Sequence, residues 1–227
     1  MKSGLSKPRL ERLRGLLDAG VERGDLPGYV ALVHRRGETH VAVGGTLAAS
    51  GKEKMRRDTI FRISSLTKPV LAAAAMSMVE EGTLRLDDPV DELLPELADR
   101  RVLKSLSSPL DETVPAVRSI TLRDLLTFRL GIGAVMDFSA RHPIQAAMEE
   151  AGVAPGPFMP TVSPDQYMAR LGELPLIHQP GERWLYHTGS DVLGILLARA
   201  ADRSLAEVLQ ERLFKPLGMK DTGFHVP

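Results

Sequence analysis

The stretch from residue 64 to residue 82 constrains the fold of this chain more than any other segment. Two serines precede an alanine-rich apolar run that ends at Gly82, and this composition predicts a buried helix. Pro69 must lie within the first turn of that helix, because it has no backbone N–H and its ring clashes with the carbonyl four residues back. Ser65 is therefore predicted at or beside the helix N-terminus.

Ser65 and Lys68 are three residues apart, so their side chains share one face of the helix start, with Cβ atoms roughly 5–6 Å apart. A hydroxyl and an amine in this arrangement can act as nucleophile and base when the amine is neutral. The structural alternative is a helix-capping serine followed by a solvated lysine, although a cation near a helix N-terminus is unfavourable. The pair alone leaves both interpretations open.

Composition excludes several functional classes. With 227 residues, 43% of them hydrophobic, the chain can bury a substantial core. A net charge of zero without a basic run argues against nucleic acid as a partner. There is no cysteine, which rules out disulfides and thiolate metal sites. Asp87 and Asp88 are interpreted as turn and capping residues, so we expect no metal and no cofactor.

Membrane attachment is not expected either. The longest uncharged run is too short to span a bilayer, and residues 1–8 lack the apolar core of a signal peptide. The sequence therefore predicts a cytoplasmic protein.

Hydrophobic periodicity and capping residues predict most of the remaining elements. Residues 101–118 show no such pattern and are predicted to form an irregular surface connection. The predicted elements are a helix at 9–21, strands at 29–34 and 40–43, helices starting at Thr121 and Ser163, and helices at 192–201 and 205–214.

Several segments, in this order along the chain, resemble the serine β-lactamase and penicillin-binding-protein superfamily. The resemblance is closest to its class C-like branch, which includes the family VIII carboxylesterases. The matching segments are residues 61–68, 81–90, 120–127, 180–186 and 216–222. This resemblance covers nearly the whole chain and implies an α+β, β-lactamase-like fold, with an antiparallel sheet flanked by helices beside a mainly helical region.

The resemblance also implies a division of the chain. Residues 1–58 would form the N-terminal helix and β-hairpin, and residues 59–215 the mainly helical region with the motifs. Residues 216–227 would lead to a C-terminal segment that carries the third motif and the remaining sheet strands. We expect a truncated chain, weakly active or inactive alone, whose partner is a complementary C-terminal chain or a second copy at the exposed sheet edge.

The resemblance assigns roles to residues of this sequence. Ser65 corresponds to the acylated nucleophile, Lys68 to its proton-accepting partner, and Tyr186 to the second-motif tyrosine that passes the proton to the leaving group. Trp184 and Thr188 are expected to contact the substrate. Thr188 occupies a position where the family usually has Asn, which reads the amide of lactam or peptide substrates.

These residues predict a serine hydrolase that acts through an acyl-enzyme on small carboxylic esters. A β-lactamase or D-Ala-D-Ala peptidase is the enzymatic alternative, which Thr188 disfavours. The non-enzymatic alternative is a non-catalytic fragment or a partner-binding remnant. A small-molecule ester is the expected ligand, with neither nucleic acid nor membrane as a partner.

Overall fold

The computed structural model of the chain describes residues 4–137, 139–157 and 160–225. The outermost residues of the two predicted terminal regions, 1–3 and 226–227, lie outside that description. The chain separates into two compact units, Met1–Arg62 and Ile63–Pro227. The three-part division predicted at residues 58/59 and 215/216 stays a prediction.

The first unit is a helix packed on a hairpin, as predicted. Helix α1 (Lys7–Glu22) is followed by strands β1 (Gly28–Arg35) and β2 (Glu38–Gly45), which pair antiparallel along their full length. Helix α1 contacts β2, and the hydroxyl of the buried Tyr29 donates a hydrogen bond to Asp18 at 2.7 Å. This bond ties the helix to the hairpin. Among the described residues, β1 and β2 form a sheet of their own.

The second unit is organised around two apolar helices in contact, α2 (Thr67–Glu80) and α6 (Thr188–Ala201). Ala74 and Ala75 of α2 are fully buried, and their small side chains allow the close approach of neighbouring elements. Helix α2 ends before Gly82, whose φ of +78° is one that residues with a side chain adopt only under strain. The predicted buried helix is therefore present.

The described part of the second unit contains four further α-helices. Three of them begin with a capping box in which a Ser or Thr hydroxyl and the side chain three residues later satisfy backbone N–H groups reciprocally. The four helices are α3 (Leu122–Leu126), α4 (Pro143–Glu150), α5 (Pro164–Glu173) and α7 (Leu205–Leu209), with a π-helical turn at Gln210–Phe214. The capping boxes are those of α3, α5 and α7. Helix α4 has no counterpart among the predicted elements. None of the helices in the described part of the chain has the length and apolarity that crossing a bilayer requires.

The prediction of an irregular surface connection over residues 101–118 is wrong. Strands β3 (Arg101–Leu103) and β4 (Thr113–Pro115) pair antiparallel there, and Val102 is buried. Val102 also forms a parallel bridge with Leu176, so β3 lies between two neighbours. Strands of three residues are too short for an alternating pattern to show in the sequence. The second unit consequently contains a small sheet of its own.

Candidate active site

Ser65 lies in a tight turn at the start of helix α2. Residues Ser64–Leu66 form one 3₁₀ turn, α2 follows directly at Thr67, and Pro69 is within the first α-helical turn, as predicted. Ser64 has a φ of +44°, a left-handed conformation that costs a residue with a side chain roughly 1–2 kcal/mol. Such strain is characteristic of functional turns, and here it presents the exposed Ser65 side chain at the surface.

Three of the residues predicted from the sequence come together at this turn. The Lys68 Nζ donates a hydrogen bond to the Ser65 Oγ at 3.2 Å. The same nitrogen lies 4.6 Å from the centroid of the Tyr186 ring, within the range of a cation–π contact. Lys68 therefore lies between a hydroxyl and a phenol that are 121 positions apart in the sequence (186 − 65 = 121).

The electrostatics of this group favour the ionised form of the phenol. Hydrogen bonding from Ser65 lowers the pKa of Tyr186 below its ordinary value, partial burial opposes this, and hydrogen bonding and charge from Lys68 lower it further. A tyrosine with a lowered pKa is a better proton acceptor near neutral pH than an isolated phenol. Tyr186 is therefore a candidate proton acceptor for Ser65.

The backbone around Tyr186 is held from both sides. Its carbonyl accepts a hydrogen bond from the Ala134 N–H at 2.9 Å. A Cβ atom at Gly133 would lie 2.8 Å from that carbonyl oxygen, so only glycine fits there. His187 follows with φ +86° and ψ −80°, a strained turn directly before the start of helix α6. The backbone position from which the Tyr186 side chain extends is therefore fixed.

Two aromatic side chains contact the Tyr186 ring. Trp184 stacks on Tyr186 with ring centroids 5.5 Å apart and an interplanar angle of 21°. Phe128 contacts both rings, at centroid distances of 6.0 Å and 5.6 Å. Trp184 is 56% exposed, so it remains available to a ligand, as the predicted substrate contact requires. Phe128, which has a φ of +58°, was not predicted, because an isolated phenylalanine carries no site signal.

The structure does not bring Thr188 to this surface. It is the first residue of α6 and is 0% exposed, with its hydroxyl near that of the buried Tyr167. The predicted contact between Thr188 and a substrate therefore gains no support from its position. The reason is the strained His187, which turns the chain inward immediately after Tyr186.

Asp191 is a neighbour of the site that sequence reasoning missed. It lies in the first turn of α6, with its Oδ2 3.5 Å from the His187 Nε2. Burial raises the pKa of Asp191, whereas the charges of His187 and Lys68 act in the opposite direction. The only available sequence signal was an acidic residue in the first turn of a helix, which more often indicates a favourable dipole interaction.

Ser65 lines neither of two open cavities formed by described residues of the second unit. One, of about 400 Å³, is bordered by Trp184 and three arginines. The other, of about 490 Å³, is bordered by residues of strand β3 and by His178. Asp87 accepts two hydrogen bonds from Arg123 at 2.7 and 2.8 Å. Within the described ranges, no group of three or more His, Asp or Glu residues could hold a metal ion.

Comparison with known proteins assigns this chain to a family. Residues 13–227 match the family described as Beta-lactamase. Protein Rv1367c of Mycobacterium tuberculosis is 41% identical over 94% of this chain and 50% of its own length. Esterase EstB of Burkholderia gladioli is 34% identical over 94% of this chain and 51% of its own length. The chain thus spans about half the length of the curated relatives it matches.

A solved structure gives the same result for the fold. The hydrolase EstCE1, described as having promiscuous acyltransferase activity, superposes with a TM-score of 0.81 and 28% identity, over 96% of this chain and 53% of that one. The mixed helix-and-sheet, β-lactamase-like fold expected from the sequence is confirmed, and it again corresponds to about half of the neighbouring structure. The chain belongs to the beta-lactamase family.

Proposed function

We propose that this chain carries the acyl-transfer site of a serine hydrolase that cleaves small carboxylic esters. The observation that carries the proposal is the position of the Lys68 Nζ, 3.2 Å from the Ser65 Oγ and 4.6 Å from the Tyr186 ring centroid. The names of the relatives support it, because EstB is an esterase and EstCE1 a hydrolase. The roles of the three residues are part of the proposal.

In the first step, the Ser65 Oγ bonds to the ester carbonyl carbon while the Tyr186 phenolate takes the hydroxyl proton. Lys68 already donates a hydrogen bond to the serine oxygen, so the role of proton acceptor falls to the phenolate. The carbonyl oxygen becomes an oxyanion, which the Ser65 backbone N–H at the helix start can stabilise. The Lys68 ammonium remains beside both reacting groups and favours the negative charge that develops.

In the second step, the carbonyl re-forms and the alcohol leaves with the proton held by Tyr186. The product is an ester between the acyl group and the Ser65 Oγ. Water then attacks this ester and gives a proton to the phenolate, and the tetrahedral intermediate collapses to the acid and free Ser65 as Tyr186 returns the proton. One tyrosine thus serves as base and acid in both halves of the reaction.

Transfer of the acyl group to an alcohol instead of water is the second candidate. The description of EstCE1 as a hydrolase with acyltransferase activity favours it, and the exposed Ser65 gives an alcohol acceptor access. A β-lactamase or peptidase activity and a non-catalytic role remain alternative predictions. A cytoplasmic location also remains a prediction.

A fluorophosphonate probe tests the nucleophile. We expect a single adduct, mapped by mass spectrometry to Ser65, that is lost in Ser65→Ala and retained in Ser50→Ala, a change at an exposed serine of the first unit. Turnover of p-nitrophenyl butyrate is expected to exceed that of nitrocefin at equal protein. Labelling that survives Ser65→Ala would refute the nucleophile, and a higher kcat/KM for nitrocefin would refute the substrate class.

A further inference from the structure

A positively charged cavity lies directly beside the proposed acyl-transfer site. Its volume is about 400 Å³, and Arg118, Arg123, Arg129, Asp124 and Trp184 are among the residues that line it. Trp184 is the link between the two places, because it borders this cavity and also stacks on Tyr186. We call this space the arginine cavity.

Two of the arginines are already paired. Arg118 makes two hydrogen bonds to the Asp124 carboxylate at 2.6 and 2.9 Å. Arg123 makes two to Asp87 at 2.7 and 2.8 Å. The bonds from Arg118 to Asp124 use Nη1 and Nη2 and do not involve Nε. The bonds from Arg123 to Asp87 use Nε and Nη2 and do not involve Nη1. Each guanidinium therefore keeps donor capacity for a further acceptor.

Arg129 has no carboxylate partner among the described residues. The Arg129 side chain makes one long hydrogen bond to a described residue, 3.4 Å from Nη1 to the Gly181 carbonyl oxygen. The side chain is otherwise exposed. Three guanidinium groups against the carboxylates of Asp124 and Asp87 leave one excess positive charge (3 − 2 = +1). The arginine cavity therefore offers an unpaired guanidinium and an excess charge suited to a monoanion.

We propose that the arginine cavity binds the carboxylate of a substrate that carries an acid group in addition to its ester. This inference rests on the proposed function. A guanidinium presents its N–H groups in a planar fork that matches a carboxylate, and a carboxylate balances a single excess charge better than a phosphate dianion. Trp184 borders the cavity and stacks on Tyr186 with ring centroids 5.5 Å apart, so the chain that joins the two groups of the substrate must reach past these rings.

The single tryptophan makes the binding directly measurable. Trp184 is the only tryptophan of the chain, so tryptophan fluorescence comes from the one residue that borders this cavity and also stacks on Tyr186. The Ser65→Ala protein is titrated with monomethyl glutarate and with dimethyl glutarate, which share the ester and differ in the anion. We expect a saturable change with the monomethyl ester only, and weaker binding at higher salt, because the attraction of an exposed guanidinium is screened.

Two variants assign the anion to Arg129. Arg129→Ala and Arg129→Gln, the latter retaining much of the side chain's length without its charge, are each expected to weaken monomethyl glutarate about ten-fold, the loss of one charge-assisted interaction. Arg57→Ala, at an exposed arginine of the first unit, is expected to leave the affinity unchanged. An equal response to both esters, or unchanged affinity in both Arg129 variants, would overturn the proposal.

Inorganic phosphate is the third ligand, and tighter binding of phosphate than of monomethyl glutarate would also overturn the assigned ligand class. Because the titrations use protein without Ser65, they do not depend on turnover. Carboxylate binding without fluorophosphonate labelling of the unmodified chain would refute the proposed function and retain the cavity as an anion site. Labelling without carboxylate binding would refute the arginine cavity as a carboxylate site and retain the proposed function.

Discussion

The Lys68 Nζ lies 4.6 Å from the centroid of the Tyr186 ring. This contact joins the first turn of helix α2 to the segment that precedes α6, within the second unit. A cation at that distance stabilises the phenolate more than the phenol, so it contributes to the lowered pKa of Tyr186. In the proposed mechanism, the pKa of the base therefore depends on the neighbouring charge of Lys68.

Removing that charge is expected to move the pH dependence of ester hydrolysis. The active form of Tyr186 is the phenolate, so activity rises as the pH passes its pKa. Lys68→Met takes away one influence that lowers this pKa, and the acid limb of kcat/KM should therefore shift to higher pH. Tyr186→Phe should reduce kcat/KM about 10²–10⁴-fold and abolish that limb.

The measurement is kcat/KM for p-nitrophenyl butyrate across the pH range. Lys220→Met, at an exposed lysine of the second unit, is the control and should leave the profile unchanged. An acid limb that stays in place in Lys68→Met would contradict the assignment of Tyr186 as the base.

The sequence could predict the Ser65–Lys68 pair because helical periodicity and Pro69 locate both residues on one turn. It could indicate Tyr186 only through the family resemblance, since nothing local joins that residue to Ser65. The left-handed conformation of Ser64 and the strained turn at His187 leave no trace in residue type, because serine and histidine are common in ordinary backbone.

The position of Thr188 depends on that strained turn. The family resemblance places a substrate contact two positions after Tyr186, at Thr188. The structure instead begins helix α6 at Thr188 and buries it completely. A turn of this kind can be seen only when the packing of α6 is known.

Thr188→Asn is expected to destabilise the fold without creating β-lactamase activity. The change places a carboxamide with additional donors and acceptors at a site that is 0% exposed. Polar groups buried without partners cost about 1–3 kcal/mol each, so the free energy of unfolding should fall by about that amount. Thr83→Asn, at an exposed position, should change it little. Denaturant unfolding and a nitrocefin assay measure both effects; a gain in nitrocefin turnover would show that position 188 does reach the substrate.

Asp124 is expected to make the stability of the second unit sensitive to acid. Burial raises its pKa, but hydrogen bonds from Arg118 and Thr121 outweigh burial and leave the pKa below its ordinary value. The stabilisation is therefore present above the pKa of an unfolded aspartate, near 3.9, and is lost as the pH falls through the lower folded value.

Asp124→Asn should lower the free energy of unfolding at neutral pH by about 2–3 kcal/mol. This is less than for a fully buried pair, because Arg118 is 42% exposed. The variant should also lose part of the decline in stability on acidification. Denaturant unfolding at neutral and acidic pH tests this, with Asp111→Asn, an exposed turn residue, as the control. An equal acid decline in both variants would contradict the role of Asp124.

The chain spans about half the length of its curated relatives. EstB is about twice as long as the matched region, since the match covers 51% of its length. In the proposed mechanism the Ser65 backbone N–H is one donor to the oxyanion, and no second donor is assigned among the described residues. Such a donor is typically worth about 10²–10³ in rate. Ile63 and Leu66, which flank Ser65, are 39% and 67% exposed and form apolar surface that favours association.

We therefore expect the 227-residue chain alone to hydrolyse esters weakly and to self-associate. Co-expression with the remaining half of EstB should raise kcat/KM for p-nitrophenyl butyrate, and Ser65→Ala should abolish the gain. Light scattering measures the association, and a copy of this chain with Leu66→Gln is the matched variant for the apolar surface. If the isolated chain is monomeric and turns over esters at ordinary enzyme rates, of about 1–10³ s⁻¹, the second oxyanion donor must lie within residues 1–227.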